Sequence, residues 1–212
     1  MSRRAAHVII AVCCGCLATT VGCSRAPKRL KPPTIDASDA GEAAMAEYDT
    51  NQDGAVAGDE LKKAPGLNGA MKNLDLDTDG RITADEVTAR INEWKNTKIS
   101  IMSYRMSVMR NGQPLPGATV TLEPENFLGE AVKPATGKTG KHGSADLTIA
   151  EADRPEPTII GCHCGLYKVR ISRMANGKEI IPAKYNTETI LGCEVAQDAD
   201  KIQEGITFEV GR

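Results

Sequence analysis

Two short acidic segments hold the residues of this chain best suited to chemistry. The first runs from Asp49 to Glu60, with Asp49, Asn51 and Asp53 at positions 1, 3 and 5, Gly54 at 6 and Glu60 at 12. The second runs from Asp75 to Glu86, with Asp75, Asp77 and Asp79 at the same odd positions, Gly80 at 6 and Glu86 at 12. Hard oxygen donors at alternate positions, a residue free to turn sharply and a closing carboxylate are what a twelve-residue loop needs to wrap a calcium ion. Position 7 offers its backbone carbonyl, so Ala55 and Arg81 join the ligand set through the main chain. The expectation is two bound Ca2+ ions. The second loop has four carboxylates and Thr83 at position 9 to hold a water. The first has three carboxylates, a neutral Asn51 and Ala57 at position 9. More ligand charge raises affinity, so the second loop should bind more tightly.

Such loops need helices on either side and a brace between them. Val56 and Ile82, both at position 8, are β-branched and suited to face each other across a short strand bridge. Ser38 is placed to cap a helix reaching Tyr48. Pro65 and Gly66 stop the helix leaving the first loop within two turns. Leu67, Met71 and Leu74 mark the helix entering the second loop. Thr83 with Glu86 forms a capping box opening a last helix through Val87, Ile91 and Trp94 to about Lys95. With short helices and few aromatics, this segment resembles a compact bacterial EF-hand pair. The resemblance implies a structural ion, because only Met45 and Met71 are present to line a target groove. Without cations the clustered carboxylates repel, so residues 39–98 are expected to loosen on their own while the rest of the chain stays folded.

From Ile99 the apolar period changes to two. Met102, Tyr104, Met106 and Val108 alternate with other residues, as do Ala118, Val120 and Leu122, then Ala145, Leu147 and Ile149, then Tyr167, Val169 and Ile171, then Ile206, Phe208 and Val210. Turn residues separate these runs, Asn111-Gly112 among them, which predicts an antiparallel β-sandwich. The stretch from Asn111 to Leu122 resembles the opening of carboxypeptidase-regulatory-like and transthyretin-like domains. The turn at Thr136–Ala145 and the strand at Gly165–Val169 look like later parts of that pattern. These are turn and core positions, so they speak to fold and not to chemistry. The fold class read from the sequence is α+β in two domains: a small all-α EF-hand pair over 39–98 and an antiparallel β-sandwich, Ig-like or transthyretin-like, over 99–212.

The N-terminus reads as an export segment. Arg3 and Arg4 precede an apolar run from about Val8 to Val21, too short to span a bilayer as a helix. The run ends at Gly22-Cys23, which resembles the lipobox of bacterial lipoproteins. The resemblance implies cleavage after residue 22, acylation of Cys23 and a tether over 23–38. The chain is then exported and anchored in a membrane through lipid, facing the periplasm or the cell surface. The basic stretch from Arg25 to Lys31 either touches anionic head groups or is a solvated tether. Residues 36–98 carry fourteen acidic and seven basic side chains, which bound cations would offset. No basic patch points to nucleic acid.

Cys162, His163 and Cys164 lie together, and Cys193 follows. A disulfide among the three cysteines in an oxidising compartment, unpaired thiols, and a zinc or copper site are all open on spacing. No nucleophile–base order, phosphate loop or dinucleotide fingerprint is present, so no enzyme activity is expected. The expected function is a non-enzymatic, calcium-binding envelope lipoprotein in which calcium stabilises the EF-hand pair and the sandwich is an interaction module towards an envelope protein or polysaccharide, or a spacer. The competing reading is a carbohydrate-binding or enzyme-accessory module. That module needs exposed rings, and Phe127 and Tyr185 are the two aromatics of the sheet region not expected in the core.

Overall fold

The computed structural model describes residues 30–199 and 205–211. The export segment and Cys23 lie outside the described residues. The N-terminal half is built from α1 (Ala37–Tyr48), β1 (Ala55–Ala57), α2 (Pro65–Gly69), α3 (Met71–Leu74), β2 (Arg81–Thr83) and α4 (Ala84–Thr97). Helix α1 is capped by Asp36 and not by Ser38: the Asp36 carboxylate accepts the N–H groups of Ser38 and Asp39 at 3.1 and 3.3 Å. Its small buried face, Ala37, Ala40, Gly41 and Ala44, lies against α4, so close that a Cβ on Gly41 would sit 2.5 Å from the Ala84 carbonyl oxygen. The capping box that opens α4 is complete at Thr83 and Glu86.

Pro65 does break the chain leaving the first loop, where a 3₁₀ turn over Leu61–Lys63 stands in for a helix. It then starts α2 itself. Proline suits the first helical position because that N–H would be unpaired anyway. The single entering helix expected over Leu67–Leu74 is two pieces, α2 and α3, joined at Ala70.

The remaining strands are β3 (Tyr104–Arg110), β4 (Gln113–Pro114), β5 (Thr119–Pro124), β6 (Ala135–Lys138), β7 (Ser144–Ile149), β8 (Gly165–Ser172), β9 (Met174–Ala175), β10 (Lys178–Glu179), β11 (Gly192–Val195) and β12 (Ile206–Glu209). Seven run in the order β11-β8-β5-β6-β7-β3-β12, with β4 on β3, as one curled eight-stranded sheet. Strand β7 makes the curl: Ser144–Leu147 pair with β3, while Thr148 and Ile149 pair with β6. The arrangement is sandwich-like but continuous. All its pairs are antiparallel except β12 on β3. The alternating residues of β3, β5, β7 and β8 are buried as the period predicts, while Ile206 and Phe208 of β12 are only half-buried.

The expected division at residue 98 is not how the apolar contacts run. One core joins Val56, Leu67, Leu74, Ile91 and Trp94 to Tyr104, Leu122, Tyr167 and Cys193. Helix α2 lies directly on β11, and the glycines there permit it: a Cβ at Gly192 would meet the Pro65 carbonyl oxygen at 1.7 Å, and one at Gly69 would meet the Gly192 carbonyl oxygen at 2.4 Å. The extended segment expected over 23–38 also ends early. Ile35 is buried, and the Ser100 hydroxyl donates to the Lys31 carbonyl at 2.7 Å. The architecture is thus a β-rich α+β fold with the helices seated on the sheet.

Candidate functional site

The two acidic loops have the same backbone. Position 4 is left-handed in both, at Gln52 and Thr78 (φ 60° each), and position 6 is a glycine with φ 89° at Gly54 and 82° at Gly80. A side chain at position 6 would strain that turn. In each loop the first Asp accepts from the fifth and sixth N–H groups: Asp49 from Asp53 and Gly54 at 3.2 and 2.9 Å, Asp75 from Asp79 and Gly80 at 3.1 and 2.9 Å. The closing glutamates fold back over their loops. Glu60 accepts from the N–H groups of Thr50, Asn51 and Ala57, and Glu86 from those of Leu76 and Thr83. β1 and β2 brace the pair, with Val56 opposite Ile82 as the sequence predicts.

The second loop converges further. Carboxylate oxygens of Asp75, Asp77 and Glu86 lie within 4.8 Å of one another. Partial desolvation, with the charges of Asp79, Glu86 and Asp75 nearby, raises the Asp77 pKa against the lowering by the Asp79 N–H. Like charges gathered this way favour a cation among them. The donor set is all oxygen and anionic, which fits a hard divalent ion such as calcium. Asp75, Asp77, Asp79, the Arg81 carbonyl and Glu86 would hold it. The Thr83 hydroxyl, expected to hold a water, donates to Glu86 at 2.9 Å and caps α4.

The first loop differs in its electrostatics. Asp53 is paired with the Arg81 guanidinium of the other loop at 2.8 Å, so a built-in cation already sits on one of its ligand carboxylates. Hydrogen bonds to Glu60, from the Ala57 N–H foremost, hold its carboxyl below the ordinary glutamate range. Among the described residues, no group of three His, Cys, Asp or Glu other than Asp75, Asp77 and Glu86 converges as closely.

Two buried carboxylates from the sheet seat the helices beside these loops. Glu194 on β11 is 3% exposed and accepts from Arg90 Nε at 2.6 Å, Trp94 Nε1 at 2.8 Å and Asn73 Nδ2 at 2.8 Å. Arg90 also holds Asp198 through both terminal nitrogens. Glu125, fully buried after β5, accepts from the Tyr48 hydroxyl at 2.6 Å and the Gly66 N–H at 2.7 Å, with Lys168 Nζ 3.2 Å away. Burial raises the Glu125 pKa, and those three donors work against it. Sequence reading singled out neither carboxylate. The signals were present: Arg90 falls on the apolar face that Val87, Ile91 and Trp94 define, and Glu194 stands between Cys193 and Val195 in a strand. A charge at an inward position asks for a buried partner.

The Cys-His-Cys cluster resolves into core. Cys162, Cys164 and Cys193 are free thiols and all buried. Burial pushes Cys164 up to about 11 and Cys193 up to about 12. Thiols held protonated this way are poor nucleophiles. His163 is buried and accepts the Lys133 N–H at Nδ1, at 3.2 Å, and burial lowers its pKa. His142 is exposed in its turn. Phe127, left over for a sugar platform, is buried edge-on against Tyr48, and Tyr185 is half-buried. Among the described residues no helix is long and apolar enough to cross a membrane. Comparison with known protein families, curated proteins and solved structures finds no match to this chain.

Proposed function

We propose that this protein binds calcium at the second acidic loop, and more weakly at the first, and that the ion is structural. The observation that carries the reading is the convergence of Asp75, Asp77 and Glu86 in a loop already turned through a left-handed Gly80. The pair is read as EF-hand-like because both loops share one backbone and are braced through Val56 and Ile82. The reading is a binding protein because the sequence holds no nucleophile–base order, phosphate loop or dinucleotide fingerprint that would point to catalysis. The lipobox-like Cys23 supports an exported protein held to a membrane by lipid, with the sheet region as an interaction or spacer module towards an envelope protein or polysaccharide.

Calorimetry tests the ion. Calcium should give two binding events, and Glu86→Gln should abolish the tighter one, while Glu60→Gln affects only the weaker. Absence of any calcium heat refutes the reading. Mass spectrometry of the mature protein tests the anchor, which requires an acylated Cys23 at the N-terminus.

A further inference from the structure

We infer that Glu194 is a positioning residue for the cation site of the second loop: one buried carboxylate on the sheet ties the helix entering that loop and the helix leaving it to strand β11. The inference rests on the calcium reading above and adds how the site is coupled to the rest of the molecule.

The geometry is specific. Asn73 sits in α3, two residues before the first loop ligand, and donates to Glu194 Oε2. Arg90 and Trp94 sit in α4, four and eight residues after the last ligand, and both donate to Glu194 Oε1. The donors come from both helices that flank the loop, and the acceptor lies a hundred or more residues away in sequence. At 3% exposure Glu194 cannot exchange these bonds for water. Swinging α3 from α4, as a sensor hand does when it opens, would leave a buried carboxylate short of donors, a costly outcome. Two consequences follow. An ion on Asp75, Asp77 and Glu86 leaves the helix angle unchanged. Holding the two helices still also holds β11, and because binding linkage is reciprocal, the seated β11 strengthens the ion site.

Nuclear magnetic resonance on the full chain tests this, because Trp94 is the one tryptophan and gives one indole N–H signal. On adding calcium the Gly80 amide should shift. The Trp94 indole signal should stay in place, and amide exchange in β11 and its partner β8 should slow. In Glu194→Gln, calcium should bind about tenfold more weakly, as for other groups that orient metal ligands, and β11 should no longer respond to the ion. A carboxylate that merely packs the core would lower the denaturation midpoint equally with and without calcium. The positioning role predicts that the calcium-dependent increment itself shrinks. Asn73→Ala, which leaves the Arg90 pair intact, covers the case in which Glu194→Gln does not fold, and should weaken calcium about threefold. Unchanged calcium affinity in the folded variants, or an indole signal that moves and exchanges faster with calcium, overturns the inference. A wild-type chain that does not respond to calcium overturns the calcium reading and this inference with it.

Discussion

Replacing Arg90 by Met should be among the most damaging single changes outside the apolar core. Arg90 is 4% exposed and makes three carboxylate contacts. Two of its partners are mostly in water: Glu93 is 55% and Asp198 65% exposed, and such pairs are each worth about 0.5 kcal/mol. The third, Glu194, is 2% exposed at the side chain. Removing one member of a buried pair strands the other, at about 3–5 kcal/mol. Methionine keeps the aliphatic stem, so little packing is lost. The expected loss is therefore about 4 kcal/mol, a large share of the roughly 5–15 kcal/mol that holds a typical domain. At about 2–4 °C per kcal/mol, the melting midpoint should fall by about 8–16 °C. Urea denaturation followed by circular dichroism, at fixed saturating calcium, gives the number. Adding Glu194→Gln to Arg90→Met should recover part of the loss, because the stranded charge is then gone. A loss below about 1 kcal/mol for Arg90→Met, or a double variant that is additive, would refute the argument that Glu194 is sealed from water.

Gly192→Ala should destabilise by about 1–3 kcal/mol or more, because its Cβ meets the backbone of Pro65 and not a side chain that can move; thermal melts check it, and a neutral result would mean α2 does not rest on β11. The pH response should carry the mark of Glu125. Burial raises its folded pKa, so above the ordinary value of 4.5 the folded state holds more protons than the unfolded state and this contribution to stability declines as pH rises through the raised value. Urea midpoints measured across that window should decline less steeply in Glu125→Gln than in the wild type. Arg81→Gln should tighten calcium at the first loop by a few-fold, in keeping with the roughly 0.5–1 kcal/mol of a half-exposed pair, whereas a purely structural Arg81 would give weaker binding by calorimetry.

What the sequence determined by itself is local. The loop positions, the glycines at their sixth residue, the Thr83–Glu86 capping box and the pairing of Val56 with Ile82 depend on partners a few residues apart or on one repeated unit. Turn chemistry and ligand spacing therefore suffice to read them. The burial of alternate residues in β3, β5, β7 and β8 was legible for the same reason, since a pleated strand imposes its period whatever it packs against. The tertiary structure decided everything that rests on which surface the helices meet. Asn73, Arg90 and Trp94 find Glu194 only because α2 lies on β11, and α2 lies there only because neither Gly69 nor Gly192 has a side chain. The period of the strands does not place Phe127 in the core, yet it is buried, with Tyr48 of α1 edge-on to its ring. Pro65 is a stop, as its type predicts, and also a start, because the fixed φ that bars it from a helix interior suits the first position of α2. The apolar cluster that runs across residue 98 was hidden for the same reason. Composition and period change at residue 98, but apolar surface on short helices has to be buried somewhere, and the sheet edge beside them is the nearest cover.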